Sequence, residues 1–272
     1  MAPAKCTVPK PSSVTAEIVA SIQKDAKNKK EPETRAAAAK KISELASKSG
    51  AQDEPFMIEL LEVAITLAGD NKSKDVREAA DPAVDVILTL SPFAIRACQK
   101  AIFAGFASPF WQSKMAALRV IDFFVGAAPK SVAAALPELV PEIAQVMVDM
   151  RDEVKEKSSD TMAKAATTIG NLDIEPFVPT LIQCIVKIDE VPECVHKLAA
   201  TTFVQQVESP TLSILGPLLM RGLAHSQMTA IKRKSAVIID NMCKLVEDPM
   251  DAKPFVPKLL PLLKRAMDEV AD

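Results

Sequence analysis

The stretches PFVPTLIQCIVK (residues 176–187) and PFVPKLLPLLKRAM (254–267) open with the same four residues and continue as apolar runs. Proline fixes φ and lacks an amide hydrogen, so it is tolerated in the first turn of a helix and disfavoured further in. Each stretch therefore reads as a helix entered through a bent, proline-bearing start. PFMIELLEVAITLA (55–68), PFAIRACQKAIFAG (92–105), PELVPEIAQVMVD (137–149) and LGPLLMRGLA (215–224) read the same way, and Pro141, Pro179, Pro217 and Pro257 follow at intervals of 38, 38 and 40 residues.

Companion stretches with a charged or polar opening alternate with these. They are TRAAAAKKISELA at 34, VREAADPAVDVIL at 76, WQSKMAALRVIDF at 111, VKEKSSDTMAKAA at 154, VHKLAATTFVQQV at 195 and IKRKSAVIIDNMC at 231, spaced by 42, 35, 43, 41 and 36 residues. A period near 40 with two helices per unit and no strand signals is the pattern of HEAT repeats. The expected fold is all-α, a right-handed α-solenoid of six helix pairs, the first opening with SSVTAEIVASIQKDAK (12–27), plus one terminal helix after Lys253. The expected organisation is a flexible tail over residues 1–12 and a single solenoid domain over 13–272. The terminal helix lacks a second helix and a polar cap, so the reading favours a domain cut from a longer protein.

Composition agrees with short, packed helices. Of 272 residues seven are glycine, twenty proline and none tyrosine; 49% are hydrophobic and 25% charged, which excludes both wholesale disorder and membrane embedding. No signal peptide and no uninterrupted run of eighteen apolar residues occurs, so a cytoplasmic location is expected, with no membrane partner. Cys6, Cys98, Cys184, Cys194 and Cys243 are odd in number and irregularly spaced, which suits reduced thiols. Net charge is only −2, yet residues 1–50 carry ten Lys or Arg against five acids, a local basic bias that also suits a solubilising tail.

No phosphate-binding loop, dinucleotide fingerprint, nucleophile elbow or HExxH motif is present. Cys184, Cys194 and His196 form one conceivable ligand cluster, but their spacing fits no zinc pattern and no fourth ligand offers itself. No catalytic residue, metal, cofactor or small-molecule substrate is expected, and the chain reads as a monomeric binding module rather than an enzyme. Trp111, beside Phe106 and Phe110, is read as an anchor of repeat packing in preference to a base-stacking platform.

The sharper signal is IKRKSAVIIDNMCKLVEDP (231–249). Ile231, Ile238, Met242 and Leu245 share one face at about 100° per residue, and Arg233, Asp240 and Lys244 the opposite one. Lys232 lies at the margin and reads as outward-facing, while Lys234 is nearer the apolar edge. With Thr229 as N-cap, Lys232, Arg233 and Lys234 fall in the first turn, where the helix dipole disfavours cations. An ordinary solvated face explains this, and so does a ridge facing an anionic partner. Stacked repeats would align the ridge with Lys197, Lys155, Lys114, Arg77 and Arg35 in the equivalent helices, a row that could follow an RNA backbone.

The stretch LAATTFVQQVESPTLSILGPLLMRGLAHSQMTAIKRKSAVIIDNMCKLVEDP, with WQSKMAALRVIDFFVGAAPKSV and PFVPTLIQCIVKIDEVPECVHKL, resembles the amino-terminal HEAT domain of the translation elongation factor 3 family. The resemblance is specific from about residue 108 onward. It implies a ribosome-binding module that reaches small-subunit RNA and proteins, in a protein whose further domains, a helical bundle and two ATP-binding cassettes, drive ATP-dependent release of exit-site tRNA. No cassette is present here, so ATP hydrolysis does not carry over. A large ribosome-associated activator of the amino-acid-starvation kinase has a similar region, which keeps a general protein-interaction scaffold as the alternative function.

Overall fold

The computed structural model describes residues 14–88, 95–225 and 228–270. The expected tail over 1–12, Cys6 and the Pro92-Phe93 helix entry lie outside these residues. Among the described residues the chain forms α-helices and short 3-10 turns, with no strand. Six consecutive pairs follow one another: α1 (Ala16–Ala26) with α2 (Pro32–Lys48), α3 (Glu54–Ala68) with α4 (Lys74–Leu88), α5 (Ile95–Phe106) with α6 (Trp111–Ala127), α7 (Pro129–Val146) with α8 (Asp152–Ala166), α9 (Val178–Val186) with α10 (Val191–Ala199), and α11 (Ser209–Leu223) with α12 (Thr229–Leu245). A one-turn α13 (Pro249–Ala252) and α14 (Val256–Val270) complete the described chain. The expected pairs and terminal helix are present, except that the stretch expected to open a helix at Val195 is helical only to Ala199, its helix having begun at Val191. The helices fall into two compact units, one built from α1–α6 up to Ala127 and one from α7–α14 starting at Ala128.

Helix starts follow local chemistry. Thr15 Oγ1 accepts a hydrogen bond from the Ile18 amide at 3.4 Å and caps α1. Pro32, Pro129, Pro179, Pro192 and Pro210 occupy the first two positions of α2, α7, α9, α10 and α11, where no amide hydrogen is needed. Two proline-entered starts are corrected: Pro137 and Pro141 lie inside α7, and Pro217 lies inside α11. Each of these helices begins earlier, at Pro129 and Ser209, and its apolar face runs through the prolines. An interior proline costs ~3 kcal/mol. Burying Val132, Leu136, Leu139 and Val140 in α7 returns ~1.5–3 kcal/mol per side chain, which outweighs it.

In the first unit the leading helices α1, α3 and α5 pack side by side, as do the trailing helices α2, α4 and α6. The layer between them holds Ile42, Leu60, Ile65, Val84, Ile102 and Ile121, all essentially inaccessible to solvent. No single pair could hide that face alone, so stacking is what stabilises each repeat. In the second unit α10 packs on α12, and α11 on α9, α12 and α14. The fifth pair is short, nine residues in each helix, and α7 reaches past it to pack on α11.

Close helix approach depends on missing side chains. A Cβ added at Gly222 in α11 would stand 2.1 Å from Ser235 Oγ of α12, and one at Gly69, after α3, 1.9 Å from Ser113 Oγ of α6. Gly222→Ala is therefore expected to destabilise the second unit by about 2 kcal/mol through overpacking. That corresponds to a fall of roughly 4–8 °C in its unfolding midpoint. Adding Ser235→Ala, which removes the clashing hydroxyl, is expected to recover most of the loss; thermal unfolding of the single and double variants checks both.

Candidate functional site

The cations singled out by the sequence share a register. Arg35, Arg77, Lys114, Lys155 and Lys232 are each the fourth residue of the second helix of a pair, whereas Lys197 is the seventh residue of α10. A fourth residue completes the first turn, and its side chain leans back toward the preceding interhelical turn. The outcome is a set of cations held close to the turns that precede them.

Arg35 shows this most fully. It is 5% exposed, and its Nη1 donates to the carbonyl of Asn28 at 2.7 Å. Its Nε and Nη2 grip both oxygens of Asp70, in the turn between α3 and α4, at 2.6 and 3.2 Å. Asp70 Oδ1 also accepts the amides of Lys72 and Ser73, each at 2.9 Å. Burial pushes the Asp70 carboxyl up, but the Arg35 and amide hydrogen bonds outweigh it and hold the group below its usual range. Arg77 repeats half of the arrangement, its Nη1 donating to the Asp70 carbonyl at 2.6 Å. Lys114 is half-buried at the start of α6, where Trp111 is also half-buried.

The second unit uses the same register differently. Lys155 is half-buried and pairs with Asp152 on its own helix at 2.9 Å. Lys232, read from the sequence as outward-facing, is 7% exposed and pairs with Glu269 of α14. This is a correction: α14 packs across the start of α12 and covers that margin. Arg265 also pairs with Glu269, at 2.6 Å, and the hydrogen bonds from Lys232 and Arg265 lower the Glu269 carboxyl pKa. The expected Thr229 cap is corrected too, since Thr229 is already helical and no side chain caps α12.

Lys234 Nζ meets His196 Nδ1 of α10. Beside that contact, Arg233 and Lys197 are exposed, with Lys197 paired to Glu193 at 2.8 Å. The sequence-predicted ridge is thus not one surface. Arg35 and Lys232 are buried struts, Arg77, Lys114 and Lys155 are half-buried, and Arg233 and Lys197 face solvent. A signal for the struts was available in the spacing: Asn28 precedes Arg35, and Asp70 precedes Arg77, by seven residues each.

Cys184 and Cys194 share a hydrogen bond between α9 and α10, and burial pushes the Cys194 thiol up to about 12 and the Cys184 thiol above its usual value. His196, two residues on, points to the surface instead. Among the described residues no group of three or more His, Cys, Asp or Glu side chains could hold a metal ion, and no helix is long and apolar enough to cross a membrane. Between α12 and α14 lies an apolar groove of about 650 Å³ lined by Ala236, Leu260, Leu263 and Met267, with Arg233 and Lys264 at its edges.

Stacked helix pairs repeating at a period near 40 residues define HEAT repeats as the class of protein. The pattern described as "EF3 N-terminal HEAT repeat" matches residues 9–162, and that described as "Elongation factor 3/GNC1 HEAT repeat" matches 190–272. The chain is 42% identical over 241 residues to Elongation factor 3 of Phytophthora infestans, covering 88% of this chain and 23% of the relative. Against Elongation factor 3 of Candida albicans it is 47% identical over 221 residues, covering 80% and 21%. Against Elongation factor 3A of Saccharomyces cerevisiae it is 44% identical over 251 residues, covering 91% and 24%. The chain belongs to the elongation factor 3 family, as its amino-terminal HEAT-repeat module. It spans about a quarter of the length of these relatives.

The strut geometry makes a definite forecast. A carboxyl held below its unfolded pKa stabilises the fold above that pKa and loses the contribution as pH falls through the folded value. Asp70→Asn is expected to cost about 3 kcal/mol at neutral pH, because it leaves the Arg35 guanidinium buried without its counter-charge. The gap between wild type and variant is expected to narrow as pH falls below the ordinary carboxylate range and through the lowered value of Asp70. Denaturant titration of both proteins at neutral and acid pH measures it.

Proposed function

We propose that this chain is a ribosome-docking module that seats an elongation factor 3-like protein on the small ribosomal subunit in the cytoplasm. The single observation that carries the reading is family membership across both units, residues 9–162 and 190–272, with translation elongation factors at 42–47% identity. Docking of this kind supports exit-site tRNA release by ATP-hydrolysing domains outside this chain. The chain itself acts as a monomer and contributes binding, with no cofactor and no catalytic group. Of the cations chosen from the sequence, Arg233 and Lys197 are those exposed enough to meet ribosomal RNA or an acidic ribosomal protein. Lys234 stands beside them through His196. Arg35 and Lys232 are committed to Asp70 and Glu269, and Arg77, Lys114 and Lys155 are half-buried.

A scaffold reading draws on the apolar groove between α12 and α14, where Leu260 is 46% and Met267 72% exposed. Such a surface would grip a partner helix with little dependence on salt. Co-sedimentation with purified small subunits across a salt series separates the two. Docking through RNA is expected to weaken steeply with salt and to weaken further in an Arg233→Glu, Lys197→Glu variant. Salt-insensitive binding favours the scaffold, and absence of binding contradicts ribosome docking by this module.

A further inference from the structure

The turns that join α1 to α2 and α3 to α4 are built alike. Asn28 Oδ1 accepts the Lys30 amide at 3.0 Å, just as Asp70 Oδ1 accepts the Lys72 amide at 2.9 Å. Each turn thus carries a lysine two residues after its Asn or Asp, and the structure leaves both lysines exposed, together with Lys27 and Lys29. Arg35 ties the two turns directly, with one nitrogen on the Asn28 carbonyl and two on the Asp70 carboxylate. Lys30 and Lys72 therefore stand on neighbouring turns.

Two of the nearby acids are paired with other cations. Asp70 is gripped by Arg35, Asp25 pairs with Lys41 at 3.3 Å, and Glu31 accepts hydrogen bonds from Asn28 and Thr34. Glu33 and Asp75 lie in the first turns of α2 and α4, where they favour the helix dipoles. Lys27, Lys29, Lys30 and Lys72 make no salt bridge among the described residues. Neither turn exposes a large apolar side chain, among the described residues. Protein interfaces centre on apolar and aromatic groups and are depleted in lysine, whereas nucleic-acid interfaces are polar and place Lys and Arg on phosphates.

We propose that Lys27, Lys29, Lys30 and Lys72, on the paired turns of the first unit, form a contact surface for the phosphodiester backbone of RNA. This deepens the ribosome-docking reading and rests on it for the choice of RNA. The surface reads no sequence, because it offers flexible ammonium groups and spends its turn amides on Asn28 and Asp70. Arg35 is a positioning residue that fixes the two turns relative to each other. The residues that reach the phosphates are the lysines, whose substitution leaves the core untouched.

The test is fluorescence anisotropy with a short labelled RNA duplex over a potassium chloride series. It compares the full chain with a Lys29→Glu, Lys30→Glu, Lys72→Glu variant, and uses polyglutamate as an acidic-protein probe. The variant is expected to fold as wild type by circular dichroism and to lower the slope of log affinity against log salt by about 3. Unchanged slope and affinity, no RNA binding by wild type, or preference for polyglutamate would overturn the proposal. Small-subunit co-sedimentation of the same two proteins separates the readings. If subunits bind both equally, docking stands and this surface is wrong; if subunits bind neither while the duplex slope changes, the surface stands and the docking reading falls.

Discussion

Much of the first unit turns on one guanidinium. Arg35 is buried, and a buried cation is tolerated only when its hydrogen-bonding capacity is spent on fixed partners. Its partners are the Asn28 carbonyl of its own repeat and the Asp70 carboxylate of the next. The apolar layer beneath supplies most of the stabilisation but is non-directional; two helix pairs could slide over it at small cost. A planar fork holding a carboxylate by both oxygens does not permit that sliding. The register of α2 on α4, and so the placing of the turns at their ends, is set at this point.

The second unit solves the same problem with softer parts. Lys232 reaches Glu269 in place of an arginine reaching an aspartate, and Lys234 meets His196. An ammonium lacks the planar fork, so geometry there is set more by packing, as the Gly222 and Ser235 contact shows. At the start of α12 the cation at the fourth position, Lys232, is drawn inward while Arg233 after it is exposed. A structural demand on one residue thereby decides which of its neighbours can meet a partner.

The repeat architecture was legible because its signals are local: proline near helix starts, apolar residues at helical spacing, and a period near 40 residues. Helix boundaries were less so at α7 and α11, where burial of residues such as Leu136 and Leu215 carries the helix through an interior proline. The orientation of the basic residues was the least legible. A helical wheel places Lys232 at a margin, and only a carboxylate 37 residues further on decides that it turns inward. For Arg35 the deciding partner is 35 residues away. The lysines of the turns, Lys30 and Lys72, escaped notice because turn lysines are common; what sets them apart is the matching side-chain-to-amide bonds at Asn28 and Asp70, which emerge only in three dimensions.

The claim that Arg35 is a structural strut is open to direct observation by nitrogen-15 NMR of arginine side chains in the intact chain at neutral pH. Arg35 is expected to give a guanidinium whose Nε hydrogen exchanges slowly with water and whose terminal nitrogens do not rotate freely, whereas the same group in the chain unfolded by denaturant gives a fast-exchanging, averaged signal. Fast exchange at Arg35 in the folded chain would contradict the account, since an arginine bound to Asn28 and Asp70 cannot behave as a solvated one.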